Sequence, residues 1–562
     1  MGDFFSLHGL KVQANAELFR VRDIPRRVWE LDAENLAGEL SDILRAPGGT
    51  MQLRPVQAAA LYEIGTVGGF FGPLRVGAGK TLITLLAGRV AFAKRPLLLV
   101  PASLIEKTRR DAEAMGEHWE FDLPRMFSYE WLGRAQAAEA LANFAPDLII
   151  ADEAHKLKNP RAAVTRRVKR YMHQNPQTKF CAMSGTITKR SLHDYAHLLF
   201  WTHENPPIPT RYTDLERWAD ALDERKGQTR RAHPGALREL CDPFELAIFE
   251  RDARQGARLA FRRRLTETPG VVATSETPID ASIRVRAVEP PPSRGIEDAF
   301  DNLRRNWETP DGWPISDALG MFRHARELAL GFYYVWDPRP PRHWLEARKA
   351  WARFVRGVLS RSRKLDSELQ VRREHADAPE CKEWIAVRDE FKPNTVPQWI
   401  DDSAVEFCAG FEGIIWTEHT HFAERLAKVS GLPYYGRKGQ DHNGRAIEDH
   451  KPGAPMIASI SSNGTGRNLQ AWANNLIASM PANGLQVEQL MGRTHRDGQT
   501  ADEVCFDILI NCAEHVGAYH QSIADCQYTL DTTGSPQKIL LADRDVPSLT
   551  TFALRNGARW TQ

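Results

Sequence analysis

The sequence predicts an α/β protein of two lobes, each built on a parallel sheet, with helical insertions between and within them. Three observations carry that expectation. Short apolar runs bounded by turn or motif residues recur at PLLLVP (96–101), DLIIAD (147–152) and KFCAMSG (179–185), with helical or loop-like stretches between them. The same signature returns in GIIWT (413–417), PMIASIS (455–461), NLIASM (475–480) and VCFDILI (504–510). Between the two sets, residues 200–410 are rich in Arg, Trp and Pro and are broken at ENPPIP, EPPPSRG and WDPRPPR, while HWLEARKAWARFVRGVLSRSR reads as an inserted amphipathic helix. Nine of the fifteen tryptophans fall between Trp201 and Trp399, where helical spacing favours core packing over a base-stacking platform. At 562 residues, 42% hydrophobic, the chain exceeds what one core ordinarily supports.

Composition excludes several classes. No apolar run approaches the roughly 18 to 20 residues of a membrane helix, the best candidates being PLLLVPASLI and LALGFYYVW, so no membrane partner is expected. MGDFFSLHG lacks the basic and apolar regions of a signal peptide, although Met1, Gly2 and Ser6 formally fit a myristoylation pattern. The seven cysteines are scattered without a Cys-x-x-Cys, which suits a reducing, cytoplasmic setting better than a zinc site or disulfide framework. A formal charge of +2 advertises no uniformly positive coat. Basic clusters are local: RAAVTRRVKR (161–170), RDARQGARLAFRRR (251–264) and SRSRKLDSELQVRR (360–373). Each alone reads as a solvated helix face until its position says otherwise.

The chemistry begins at GPLRVGAGKTLITLLAG (72–88). Gly77, Ala78, Gly79, Lys80 and Thr81 stand just ahead of a helix start. Glycines let backbone N–H groups close on phosphate oxygens, the helix N-terminus favours the charge, Lys80 reaches the terminal phosphates and Thr81 can ligate Mg2+. The position five before Gly79 is Leu74, so the match is the looser Gly-x-Gly-Lys-Thr. Downstream, PDLIIADEAHKLKNP ends a strand-like run in Asp152-Glu153. Adjacent carboxylates at a strand's C-terminal end can divide labour, Asp152 on magnesium and Glu153 on the attacking water. An exposed acidic turn accounts for neither that placement nor the order of the two elements.

DEAHKLKN, with GAGKT before it and MSGT (183–186) after it, resembles the first lobe of superfamily 2 helicases, particularly the Swi/Snf-related DNA translocases of compact bacterial or phage type. QLMGRTHRDGQ (489–499) resembles that family's last motif, Gln-x-x-Gly-Arg-x-x-Arg-x-Gly-Gln, at each position. SSNGTGRNLQAW (461–472) resembles its fifth motif, LRPVQ (53–57) its adenine-reading segment, and FSYEWL (127–132) a DNA-contacting segment. The sequence departs from the family at Leu74 and Arg75, where an acidic pair is usual, and in VPASLIEKT, which lacks the usual Trp.

The resemblance implies two RecA-like lobes, ATP as nucleotide and Mg2+ as metal. It makes Gln57 an adenine contact, Gly77 to Thr81 the phosphate cradle, Thr81 and Asp152 metal ligands, and Lys80, Asp152 and Glu153 catalytic residues. Ser184 and Thr186 would couple hydrolysis to lobe movement; Arg493 and Arg496 would be arginine fingers from the second lobe, positioned by Gln489. Ser103, Tyr129, Ser461, Ser462, Thr465 and Asn468 would touch nucleic acid. The implied layout is an N-terminal extension (1–45), lobe 1 (46–275), a helical insertion (276–400) and lobe 2 (401–562). Expected partners are duplex DNA and a recruiting protein of unknown kind, for a monomer in the cytoplasm, or the host cytoplasm if viral. A strand-separating DNA or RNA helicase and an ATP-gated nucleic-acid clamp are the alternative readings. His155 and His495 are assigned to hydrogen bonds between lobes, EHTH (418–421) to a helix start rather than a metal site, and FRRRL to either DNA contact or capping of the first lobe.

Overall fold

The computed structural model describes residues 11–27, 33–188, 190–223, 232–274, 279, 281–291, 293–312, 315, 318–362, 365, 368–392, 394–464 and 466–556. Met1, Gly2, Ser6 and Thr465 lie outside the described residues. The chain divides into two compact units, Met1–Thr277 with Ala524–Gln537, and Pro278–Ile523 with Lys538–Gln562.

The first unit is built on strands β1 (Phe70–Gly72), β2 (Pro96–Val100), β3 (Arg125–Ser128), β4 (Leu148–Asp152) and β5 (Lys179–Met183), all parallel in the order β1-β5-β4-β2-β3. A parallel sheet is covered on both faces, which is why β2, β4 and β5 read as continuous apolar runs rather than alternating ones. Successive side chains then feed opposite cores. Leu97, Leu99, Ile149, Ala151, Phe180 and Ala182 belong to one cluster; Leu98, Val100, Leu148, Ile150, Cys181 and Met183 belong to the other. Both clusters also receive residues from the first 45 positions, Leu18 and Val21 in one and Leu36 and Leu44 in the other, so this extension is part of the unit's packing. Two basic clusters are built into the unit as well. Arg167 of RAAVTRRVKR is buried and donates to the carbonyls of Leu132 and Arg134. In FRRRL, Phe261, Arg264 and Leu265 are buried and Arg263 pairs with Glu245 at 2.8 Å, which favours the structural role over DNA contact.

The second unit carries β6 (Ser282–Val288), an antiparallel ribbon of β7 (Phe332–Trp336) and β8 (Thr395–Trp399), then β9 (Ile414–Thr417), β10 (Tyr434–Tyr435), β11 (Met456–Ser459), β12 (Asn474–Ile477), β13 (Glu503–Leu509) and β14 (Asp543–Asp545). Its main sheet is parallel in the order β10-β11-β9-β12-β13-β6-β14. β6 stands in that sheet beside β13, although the sequence boundary at 276 assigns its residues to the helical insertion. The helix Thr420–Ser430 directly follows β9 and buries Phe422, Ala423 and Leu426, as EHTH at a helix start requires. Among the described residues no helix is long and apolar enough to cross a membrane.

Candidate active site

In the first unit the phosphate-loop candidate runs from β1 into the helix Lys80–Val90. Gly77 and Gly79 take φ of 93° and 73°, a region that L side chains rarely enter, and a Cβ on Gly79 would meet the Gln57 side-chain nitrogen at 2.2 Å. The Lys80 ammonium is folded onto its own loop, donating to the carbonyls of Leu74 at 3.1 Å and Arg75 at 3.0 Å. Gln57 is buried; its Oε1 accepts from the Arg54 amide at 2.9 Å and its Nε2 donates to the Gly79 carbonyl at 3.2 Å. Gln57 therefore braces the loop and caps its own helix, and an adenine contact would require it to exchange those partners. Arg54, which the sequence reading passed over, donates to the Gly77 carbonyl at 3.2 Å.

Beside the loop, β4 ends at Asp152 and the chain turns through Glu153 at φ 55°, a left-handed conformation unusual for a non-glycine residue. Asp152 accepts the Glu153 amide at 3.0 Å. Burial, then the Glu153 charge, pushes the Asp152 carboxyl up to about 6, with Lys80 acting in the opposite sense. Glu153 is held by Ser184, whose Oγ donates to Oε2 at 3.2 Å, and by His155, whose Nδ1 lies 3.2 Å from the same oxygen and 3.0 Å from Ser184 Oγ. Since the single Ser184 proton goes to the carboxylate, His155 Nδ1 is assigned the donor hydrogen. Burial keeps His155 below its usual range and hence neutral at pH 7. Ser184 Oγ also accepts the Thr186 amide at 3.2 Å.

Gly185, between those two residues, sits so tightly against the phosphate loop that a Cβ would lie 2.9 Å from Val76 N and 3.0 Å from Leu74 O. Ser184 thus contacts the water-activating candidate, Thr186 reaches it only through Ser184, and the two flank the point where the chain after β5 abuts the phosphate loop. The carbonyl of Gly185 in turn accepts from Ser535 Oγ at 3.4 Å and Gln537 Nε2 at 3.3 Å, residues of the 524–537 return that sequence reading placed with the second lobe. The Nδ1 of His155 serves this local network with Ser184 and Glu153.

Tyr129 requires a correction. It is buried, and its hydroxyl donates to the Asp152 carbonyl at 2.6 Å, so it is not available to a nucleic-acid strand. Burial and neighbouring carboxylates hold the phenol well above its usual range, keeping it a donor. It positions the Asp152-Glu153 turn. Tyr129→Phe leaves a buried carbonyl without its donor, and is expected to lower stability by about 1 to 3 kcal/mol in urea unfolding. In any reaction that the Asp152-Glu153 pair serves, a rate that falls roughly tenfold at nearly constant KM would mark the positioning role, since an error of about 1.4 kcal/mol in transition-state alignment has that effect. Ser103, by contrast, is exposed in the turn after β2.

In the second unit, Arg493 lies on the helix Gly484–Thr494 and is buried, its Nε donating to the Gln489 carbonyl at 2.7 Å and its Nη1 to the Arg467 carbonyl at 3.3 Å. Arg496 reaches the same Arg467 carbonyl at 3.0 Å and Asn468 Oδ1 at 2.6 Å. The last and fifth motifs are therefore joined through one shared acceptor, which no spacing in the sequence foretells. Gln489 is buried and its side-chain Nε2 has no hydrogen-bond partner among the described residues. Gln499 closes the turn, donating to the Thr494 carbonyl at 3.0 Å and the Trp472 carbonyl at 3.1 Å, with Gly498 at φ 84°. His495 bonds to the Ala281 carbonyl at 2.8 Å and to Lys538 Nζ at 3.2 Å, both within this unit. Ser461 and Asn468 are exposed and Ser462 half-buried.

Magnesium suits the first-unit residues. It keeps several waters and binds through one or two carboxylates together with substrate phosphates rather than in an all-protein cage. Among the described residues no group of three or more His, Cys, Asp or Glu could hold a metal by itself. A buried carboxyl displaced upward by a second carboxylate is relieved by a cation, and Thr81 at the start of the adjacent helix is half-buried. No family model matches the chain, and no curated protein matches it.

Proposed function

We propose that the chain is an ATP-dependent motor of Swi/Snf type that couples hydrolysis to movement along duplex DNA. The reading rests above all on one observation: Asp152 and Glu153 close β4 beside a glycine-bearing loop, with Ser184 and His155 on the Glu153 carboxylate and Lys80 opposing the upward shift of Asp152. Lys80 and the loop amides bind the phosphates, Glu153 takes the proton of the attacking water, and Arg493 and Arg496 serve as finger residues for the transferring phosphoryl. Magnesium, when bound by Thr81 and Asp152, supplies charge neutralisation on the phosphate oxygens. Ser103, Ser461, Ser462 and Asn468 are candidates for phosphate contacts, which give grip without sequence preference and make binding sensitive to salt.

The test is steady-state hydrolysis with no nucleic acid, single-stranded DNA, duplex DNA and RNA. Strong stimulation by duplex supports the reading; stimulation by a single strand alone supports strand separation, and none by any nucleic acid excludes a motor.

Asp152 adds a pH signature. A carboxyl whose folded value is raised binds its proton more tightly in the native state, so it removes stability as pH rises from about 4 to about 6. A metal needs the ionised form. Affinity for magnesium with a nonhydrolysable ATP analogue is therefore expected to rise about tenfold per pH unit below about 6 and level off above it. In Asp152→Asn, titration calorimetry should find binding weak and flat across that window.

A further inference from the structure

The ribbon β7/β8 carries an insertion with its own core. Chain leaving Trp336 returns at Thr395, directly across the ribbon, after the helices Arg342–Arg361, Glu368–Glu374 and Pro379–Val387. Trp351, Val355, Val371 and Cys381 form a separate hydrophobic cluster, with Trp384 packed against it and Trp344 edge-on to Trp384 and Phe391. A cluster of this kind fixes the orientation of the long helix, so its outer face is a defined surface.

That face is basic. The helix Arg342–Arg361 carries Arg342, Arg348, Lys349, Arg353, Arg356 and Arg361 against a single carboxylate, Glu346. Glu346 is taken by Arg342 at 2.9 Å, and Arg348 lies over the Trp344 ring. Lys349 and Arg353 are both exposed and stand one turn apart on the same line as Arg342. Like charges at that spacing oppose helix formation by a few tenths of a kcal/mol, and no carboxylate among the described residues forms an ion pair with either. Apart from Glu346 and Asp337, the acidic residues of the insertion, Asp366, Glu368, Glu374, Asp377, Glu380, Glu383, Asp389 and Glu390, follow this helix in the chain, and of these Glu390 pairs with His343 of the helix at 2.7 Å. A merely solvated face mixes its signs in stabilising pairs, as the later helices do with Lys382 on Asp377 and Arg388 on Asp389; the helix Arg342–Arg361 sets six cations against one carboxylate.

We propose that this helix is a docking surface for the phosphate backbone of duplex nucleic acid, through Lys349 and Arg353. The inference rests on the motor reading above and adds to it a contact outside the two parallel sheets. A 20-residue helix is about 30 Å long, enough to lie along several phosphates. Cationic side chains held by such a scaffold grip the backbone by releasing counterions, with no demand on base sequence.

The experiment is fluorescence anisotropy of the full chain with a labelled random-sequence duplex across 50 to 200 mM salt. It compares the unaltered chain, Lys349→Gln with Arg353→Gln, and the control Lys382→Gln with Lys392→Gln, which removes equal charge elsewhere in the insertion. The first pair should weaken binding roughly 10- to 100-fold and reduce the slope of log affinity against log salt by about 2, while the control leaves the slope in place. Both pairs lie on exposed positions, and an unaltered thermal midpoint confirms folding. Equal losses in both pairs would overturn the surface, because net charge alone would account for them. Unaltered binding by the first pair, with hydrolysis still stimulated by duplex, overturns the surface and leaves the motor reading standing. A chain that neither binds duplex nor responds to it overturns the motor reading and this surface together.

Discussion

Glu153→Gln is expected to lower kcat for ATP hydrolysis by roughly 10²- to 10⁴-fold, the range for loss of a positioned general base, while nucleotide binding survives. The substitution is close to isosteric, and the surroundings of Glu153 give it a particular signature. Ser184 Oγ and His155 Nδ1 both converge on Oε2, so two donors now aimed at a carboxylate would face an amide. The neutral side chain also removes the second-largest influence raising Asp152, so the Asp152 carboxyl falls back toward its ordinary range. Magnesium-dependent nucleotide affinity should then lose its dependence on pH near 6 and shift it to lower values. One variant therefore reports two things. Hydrolysis measured under single-turnover conditions tests the base, and affinity measured against pH tests the coupling of the two carboxyls. Hydrolysis within tenfold of the unaltered chain would remove Glu153 from the role. An Asp152 dependence unmoved by the substitution would mean that burial alone sets it.

How much of this was legible in the sequence depends on which physical constraint wrote each residue. Strands β2, β4 and β5 were legible because both their faces are covered, leaving unbroken apolar runs. β6 was not, since Arg284 and Arg286 interrupt Ile283 and Val285 and the segment borders a proline-rich stretch, so its place beside β13 arises from pairing across more than two hundred residues. The Asp152-Glu153 pair announced itself by ending a strand. The hydroxyl of Tyr129 beneath it did not, because FSYEWL reads equally well as an exposed turn; only the parallel stacking of β3, β2 and β4 directs that ring toward Asp152. The same holds for residues 524–537, whose Tyr528 donates to Asp223 at 3.0 Å and whose Asp525 pairs with Arg190. Periodicity carries no trace of contacts between such distant segments, and buried polar partners have no composition signature.

Arg493→Ala is expected to cost at least roughly 10³-fold in hydrolysis if the side chain acts as a finger on the transferring phosphoryl, by the scale established for finger residues in GTPases. The structure complicates the experiment. Arg493 is buried and bonds to the carbonyls of Gln489 and Arg467; the Arg467 carbonyl keeps Arg496 after truncation, so loss of the Gln489 bond and of the buried side chain's packing is expected to lower stability by about 1 to 3 kcal/mol. A fall in rate alone would not separate the two effects. Arg493→Lys does: the ammonium keeps the charge and gathers its donors on a single nitrogen, so it lacks the planar fork that serves Gln489, Arg467 and a phosphoryl group together. If the role is structural, Lys should restore the urea midpoint and the rate in parallel. If the side chain is a finger, Lys should recover stability and leave hydrolysis depressed by more than a hundredfold. Arg496→Ala supplies the remaining comparison, because Arg496 is only partly buried and shares the Arg467 carbonyl, so its removal leaves that acceptor with Arg493. Loss of hydrolysis there with an unchanged unfolding midpoint assigns chemistry to Arg496, whereas activity intact in Arg496→Ala and restored by Arg493→Lys would reduce the arginine pair to a clasp between the fifth and last motifs.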